Sequence, residues 1–218
     1  MPSEGAAIRF AAERAPVFLD LPYNFNWIEP REAARSAQAY VGFLPLFLRA
    51  HRIKAVVNLR GSNPAHLWWK YETRVCEKLG VVHRDAKLNS RQLPSRPMLV
   101  DLLDAFDSVP RPFLIKCSGG QDRTAFAAAL FLLLCHGWSA LARAEQQFAG
   151  WPYLHWPRPQ QRWLRLFPGF ANENAAGVPF RCWLENSYSA AGFGSWLSDR
   201  GHGMSFKGLY GVSPGQNS

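Results

Sequence analysis

Patterned cysteine is missing from this 218-residue chain: its four cysteines, at 76, 117, 135 and 182, show neither metal-ligand spacing nor a disulfide framework. No metal or other cofactor is called for on that ground. No apolar run is long enough to cross a bilayer. The longest, Ala125 to Cys135, falls well short of the roughly 20 residues a spanning helix needs and reads as a buried central helix. Met1 to Pro16 mixes charged and small residues with no continuous apolar stretch, so no secretory leader is expected. No internal repeat is visible. Acidic residues are scarce, 16 against 25 Lys and Arg, for a formal charge of +9 and a pI of about 9.8. Such a charge admits a nucleic acid as partner, but no recognition module for one is present, and none is expected to bind.

Apolar residues make up 48% of the chain, with nine tryptophans, which argues for a folded globule with a substantial core. Strand and helix patterns alternate. Val41 to His51 reads as a helix, Ile53 to Leu59 as a buried strand, and Leu67 to Leu79 as a helix stopped by Gly80. Val81 to Leu88 reads as the next strand. Pro97 to Ser108 is a helix with Leu99, Leu102, Leu103 and Phe106 at core spacing, and Phe113 to Lys116 a short strand. Helices over 124–136 and 139–148 follow. The order predicts an α/β fold with a central, mostly parallel sheet of about four to five strands, flanked by helices. Residues 1–23 read as a lead-in, 24–150 as the main domain, and 151–218 as an extension packing on it, mobile after about 198. Trp151, Trp156, Trp163, Trp183 and Trp196 in that extension suit core packing or a lipid-facing patch.

Chemistry concentrates in Cys117-Ser118-Gly119-Gly120-Gln121-Asp122-Arg123-Thr124. An apolar strand leads in and an apolar helix leads out, the geometry that cradles a phosphate on inward-pointing amides and a helix N-terminus. The glycine pair lets the backbone curl without a Cβ clash. The same field favours a thiolate at Cys117. Arg123 can clamp two phosphate oxygens, and Thr124 can donate to the sulfur.

The loop resembles the Cys-x5-Arg signature of the cysteine-dependent phosphatases, with the dual-specificity-like tyrosine phosphatases of bacteria the nearest match. Asn24 to Ile28 followed by Ala34 to Gln38 resembles that family's entry segment, and Ile53 to Gly61 its first central strand. Trp69, Glu72 and Gly80-Val81-Val82 fall where its next helix and strand are expected. The likeness covers 24 to about 150. It implies a tyrosine/dual-specificity phosphatase-like fold and nucleophilic attack on phosphorus by Cys117, with Arg123 and the loop residues Ser118, Gly119, Gly120, Gln121, Asp122 and Thr124 binding the phosphate. Two departures stand out. Lys116 replaces the family's usual His before the cysteine. The segment Asn89 to Pro94, where the general acid is expected, contains no carboxylate. Asp85 has the right separation from the cysteine but lies in a strand pattern. Asp122 is the other candidate, since myotubularin-like lipid phosphatases carry a similar loop aspartate that is a proposed acid; it can equally cap the helix.

Residues 49–96 carry eleven Lys or Arg against Glu72, Glu77 and Asp85, a net of +8 (eleven minus three). Ligands of parallel sheets bind at the carboxyl ends of the strands, so Arg60, Arg91, Arg96 and Lys116 are expected on a basic substrate rim. The expectation is a phosphomonoester hydrolase working through a phosphocysteine. Its substrate would be a phosphorylated protein or, alternatively, an anionic phospholipid or inositol phosphate, with peripheral membrane contact left open. A catalytically weak phosphate-binding protein is the other alternative. A reduced Cys117 suits the cytoplasm.

Overall fold

The computed structural model describes residues 20–40 and 42–210. Its sheet is built from five four-residue strands: β1 (Asn26–Glu29), β2 (Ala33–Ser36), β3 (Ala55–Asn58), β4 (Val82–Asp85) and β5 (Phe113–Lys116). Their spatial order is β1-β2-β5-β3-β4. Only the β1–β2 pair is antiparallel, so the sheet is mixed but mostly parallel, as the alternating pattern implied. Parallel strands need crossovers. These are α1 (Phe43–Ala50), α2 (Leu67–Leu79) and α3 (Arg96–Ser108), while α4 (Asp122–His136) leaves the C-terminal end of β5.

The central strands are apolar throughout because both faces are covered. Ala55, Val57, Phe113 and Ile115 point to one side, where they meet Leu99, Leu102, Leu103 and Phe106 of α3 and the buried face of α4. Val56 and Leu114, one residue out of phase, point to the other side and meet Leu44, Phe47 and Leu48 of α1 and Cys76 of α2. Phe106, Phe113 and Phe131 pack within 5.3–5.8 Å of one another, joining α3, β5 and α4. Thr124 to Leu133 is buried without a break, which is why α4 shows no polar face. Together with the turn and the helix α5 (Leu141–Gln146) that follow, α4 makes one stretch, Asp122–Gln146, long and apolar enough by composition to cross a membrane; here it is the core helix.

The extension continues this core. A 3-10 stretch (Pro159–Leu166) leads into α6 (Phe167–Ala175), α7 (Phe180–Asn186) and α8 (Ala190–Asp199). Trp163, Phe167, Phe170, Trp183 and Phe193 form a continuous aromatic cluster, Phe170 and Phe193 having ring centroids 4.6 Å apart. Of the five tryptophans singled out above, Trp163 and Trp183 are therefore core and Trp196 is half-buried against Phe170. Trp151 and Trp156 stay 74% exposed. Beyond Ser198 the chain turns back, Ser205 is buried, and Leu209 bridges to Leu93. The lead-in before Asp20 and the last residues, 211–218, lie outside the described residues.

Candidate active site

β5 ends at Lys116, the loop runs from Cys117, and α4 begins at Asp122. Gly120 turns the loop at φ 65°, and a Cβ there would lie 2.5 Å from the backbone nitrogen of Ala37, so both the conformation and the space require glycine. The Gly120 carbonyl is drawn outward. It accepts from Arg35 Nη2 at 3.1 Å and from Asn24 Nδ2 at 3.0 Å. Because carbonyl and amide of one peptide point oppositely, anchoring that carbonyl turns the Gln121 N–H inward, and the Gly120 and Gln121 amides both reach the Cys117 sulfur. Arg35 is wholly buried, donates to Gln147 Oε1 and its carbonyl at 3.1 and 2.9 Å, and stacks 4.5 Å from the Tyr153 ring. Burial, only partly offset by Tyr153 and Cys117, brings its guanidinium down to about 10, still charged at neutral pH.

Burial also pushes the Cys117 thiol up, but the Arg123 charge, a 3.0 Å hydrogen bond from Thr124 Oγ1 and the two amides outweigh it, and the net direction is down. Arg123 donates from Nη2 to Ser118 Oγ at 3.0 Å, which fixes the guanidinium across the loop. Ser118 and Gly119 are exposed at the mouth. An open cleft of about 640 Å³ lies over the sulfur, and Arg60, Lys87, Arg91, Arg123 and Arg158 all line it. Arg60 stacks on Trp68 with 3.4 Å between guanidinium carbon and ring centroid.

Lys116 is not on this rim. It is 2% exposed and points beneath the loop, where Nζ pairs with Glu72 Oε1 at 2.6 Å and donates to Gln38 Oε1 at 2.8 Å. His83 Nε2 meets the same Glu72 oxygen at 2.8 Å, and Gln38 Nε2 donates to the other. Burial pushes the Lys116 ammonium down while Glu72 holds it up; the net direction is down. The physical reason for the misplacement is strand alternation: Lys116 is the last residue of β5, and its side chain leaves on the α1–α2 face rather than toward the cleft.

The two candidate acids separate. Asp85, at the end of β4, accepts from Asn58 Nδ2 at 2.6 Å and Trp69 Nε1 at 3.0 Å, and is not among the cleft-lining residues. Asp122 lines the cleft beside the loop, its side chain 23% exposed, with Oδ2 accepting from Gln161 Nε2 at 2.9 Å and Oδ1 lying 3.4 Å from His155 Nε2. Among the described residues no cluster of three His, Cys, Asp or Glu could hold a metal ion.

No protein-family model and no curated protein matches the sequence. Solved structures do match the fold. TpbA of P. aeruginosa aligns at a TM-score of 0.50 and 16% identity, over 81% of this chain and 92% of its own. Tk-PTP in its active form aligns at 0.51 and 22% identity, over 64% of this chain and 92% of its own. A mutant form of Tk-PTP reaches 0.53 at 20% identity, covering 71% and 99%. The chain has the tyrosine/dual-specificity phosphatase-like fold.

The structure brings Cys117, Ser118, Gly119, Gln121, Asp122, Arg123, Arg60 and Arg91 to one cleft and leaves Asp85, Lys116 and Arg96 outside it, Arg96 donating instead to the Tyr188 carbonyl at 2.7 Å. Gly120 and Thr124 hold the loop from within. Sequence reasoning missed several contributors, among them Lys87, which it placed inside the strand Val81 to Leu88. Arg35 was visible only as part of an entry segment; nothing local says that a strand arginine will be buried behind a loop 85 residues away. His155, Trp156, Arg158 and Gln161 come from the stretch after Gly150, where Trp, Pro and Arg obscure any periodicity. Its cue was composition: polar and cationic residues among aromatics just past the last clear helix before Gly150.

Proposed function

We propose that the chain is a phosphomonoester hydrolase acting through a phosphocysteine. The observation that carries this reading is the Cys117 sulfur, held by Thr124 Oγ1 at 3.0 Å and by two loop amides, at the floor of a cleft that Arg123 shares. Cys117 attacks phosphorus in line as the ester P–O bond breaks. Arg123 and the loop amides stabilise the equatorial oxygens, where charge spreads in the transition state. Asp122 protonates the leaving oxygen; its place in the cleft and the sequestration of Asp85 by Trp69 and Asn58 support that assignment. Water then attacks the phosphocysteine and returns the thiolate.

A phosphorylated protein is one substrate class that fits. The five cations around the cleft favour the other, a polyanion such as an inositol phosphate or an anionic phospholipid headgroup, because a single phosphate engages only the loop and Arg123. Phosphate release from phosphopeptides, phosphoinositides and p-nitrophenyl phosphate by the wild-type protein and Cys117→Ser tests the reading. Wild type is expected to turn over, and the variant to lose hydrolysis by about 1,000-fold or more while still binding inorganic phosphate on Arg123 and the amides. Binding without turnover in the wild type would make the protein a phosphate-binding module. Turnover that survives in Cys117→Ser would remove the phosphocysteine.

A further inference from the structure

His155 is a buried, titratable side chain that the mechanism above leaves unused. Its side chain has no solvent exposure. Nδ1 lies 3.3 Å from the Phe148 carbonyl, which can only accept, so Nδ1 carries a hydrogen. The Phe148 ring covers the imidazole at 5.3 Å. Nε2 has no hydrogen-bond partner among the described residues and faces Asp122 Oδ1 at 3.4 Å. A bare nitrogen lone pair opposite a carboxylate oxygen is repulsive, and a buried imidazole nitrogen left unsatisfied is costly. One proton between the two groups removes both penalties. The other carboxylate oxygen, Oδ2, is already occupied by Gln161 Nε2, which also donates to Ser90 Oγ, so Oδ1 is the oxygen left to carry a proton. The other charged groups lining the cleft with Asp122 are Arg60, Lys87, Arg91, Arg123 and Arg158, all cations that cannot accept a hydrogen from Nε2.

We infer that His155 is a positioning residue for the leaving-group step: with Asp122 it stores the one proton that the departing oxygen takes. This rests on the phosphatase reading above. In the first half-reaction the Cys117–phosphorus bond forms and the ester P–O bond breaks. The leaving oxygen takes the proton from Asp122, and the pair is left as neutral imidazole and carboxylate. In the second, water bonds to phosphorus, the sulfur leaves as thiolate, and the proton lost by water returns to the pair. Atoms and charge balance over the cycle with no further reactant.

The test is turnover of a series of phosphate monoesters, from p-nitrophenyl through phenyl to alkyl leaving groups, by the wild type, His155→Gln and His155→Phe. A proton matters most when the departing oxygen is basic. The ratio of alkyl to p-nitrophenyl turnover is therefore expected to fall on the order of 100-fold in both variants. Equal losses across the series would overturn the inference while leaving the phosphatase reading intact; no turnover of any ester by the wild type would sink both. Should the variants fail to fold, nitrogen-15 NMR of wild-type histidine decides the matter. His155 Nε2 is expected to be protonated or hydrogen-bonded at the working pH, and a free, unbonded Nε2 would overturn the inference.

Discussion

Burial alone would keep Cys117 a thiol, and the residues that reverse this are few: Arg123, Thr124 and the amides of Gly120 and Gln121. Two of the other described thiols show the contrast. Burial beside Glu72 pushes Cys76 up to about 12, and burial raises Cys135 as well. Iodoacetate near pH 6 is thus expected to modify Cys117 ahead of Cys76 and Cys135, read by mass spectrometry of the digested protein. A lowered thiol stays a thiolate until the pH falls through its folded value. Removing one stabilising donor in Thr124→Val should then move the midpoint of alkylation upward by about one pH unit, since a hydrogen bond to a charged group contributes about 1.5 kcal/mol or more. An unmoved midpoint would mean that the hydroxyl does not bond the thiolate. Lys116 contributes differently from the histidine expected before the cysteine on the Cys-x5-Arg resemblance. Its ammonium is spent on Glu72, which His83 shares, so the position supplies a buried ion pair beneath the loop rather than an imidazole beside the sulfur. The sequence showed the substitution but not its direction, because a lysine one residue before the cleft looks like a rim cation until strand alternation turns it inward.

At the level of elements, the loop is held from behind by the β1–β2 hairpin and the segment before it. Arg35 and Asn24 pin the Gly120 carbonyl, and the Ala37 nitrogen sits where a Cβ on residue 120 would go. Gly120→Ala meets two penalties: a left-handed backbone, costing about 1–2 kcal/mol, and a clash with rigid backbone rather than with a yielding side chain. The expected outcome is a lower midpoint in urea, together with loss of the selective alkylation of Cys117, because the two inward amides move with the peptide. A variant with unchanged stability and thiol reactivity would show that the loop does not depend on this contact. The same hairpin explains what was and was not legible. Helix α2 and strand β5 were read with the bounds they have, since each has a clear apolar period and a clean stop. β1 and β2 were not read as strands: they are four residues each, and β2 buries Arg35 and Ser36, polar side chains that break the expected alternation. Residues recruited to support a loop in three dimensions erase the pattern that identifies their own element.

Across the whole molecule, charge is sorted by topology. Parallel strands β3, β4 and β5 all end on one edge, so cations just beyond them, Arg60 after β3, Lys87 and Arg91 after β4, and Arg123 after β5, converge on the cleft although they are far apart in sequence. For Arg60, Arg91 and Arg123 this convergence was legible because a parallel order of strands fixes where their ends lie. Lys87, read as part of the strand Val81 to Leu88, and Arg158, which arrives from the extension, were not. Other basic residues are already paired or face solvent: Arg84 with Asp101, Arg111 with Glu32, and Arg181 with Asp104, Asp107 and Glu185 on the far helices, while Lys70, Arg74 and Lys78 are exposed on α2. Five cations are therefore gathered at the cleft, and the consequence is kinetic. Five cations around an open cleft raise the capture rate of a polyanion, and salt screens that attraction over about 10 Å at 0.1 M. For an inositol polyphosphate, kcat/KM is expected to fall about tenfold between low salt and 0.5 M, with kcat nearly constant, because screening acts on encounter and not on the chemistry at phosphorus. For p-nitrophenyl phosphate, which carries one phosphate, the fall should be markedly smaller. Arg158→Ala should flatten the salt dependence of the polyanion toward that of the monophosphate. If both substrates lose the same factor with salt, the rim does not recognise additional phosphates, and the cations beyond Arg123 would have to be assigned to something other than the substrate.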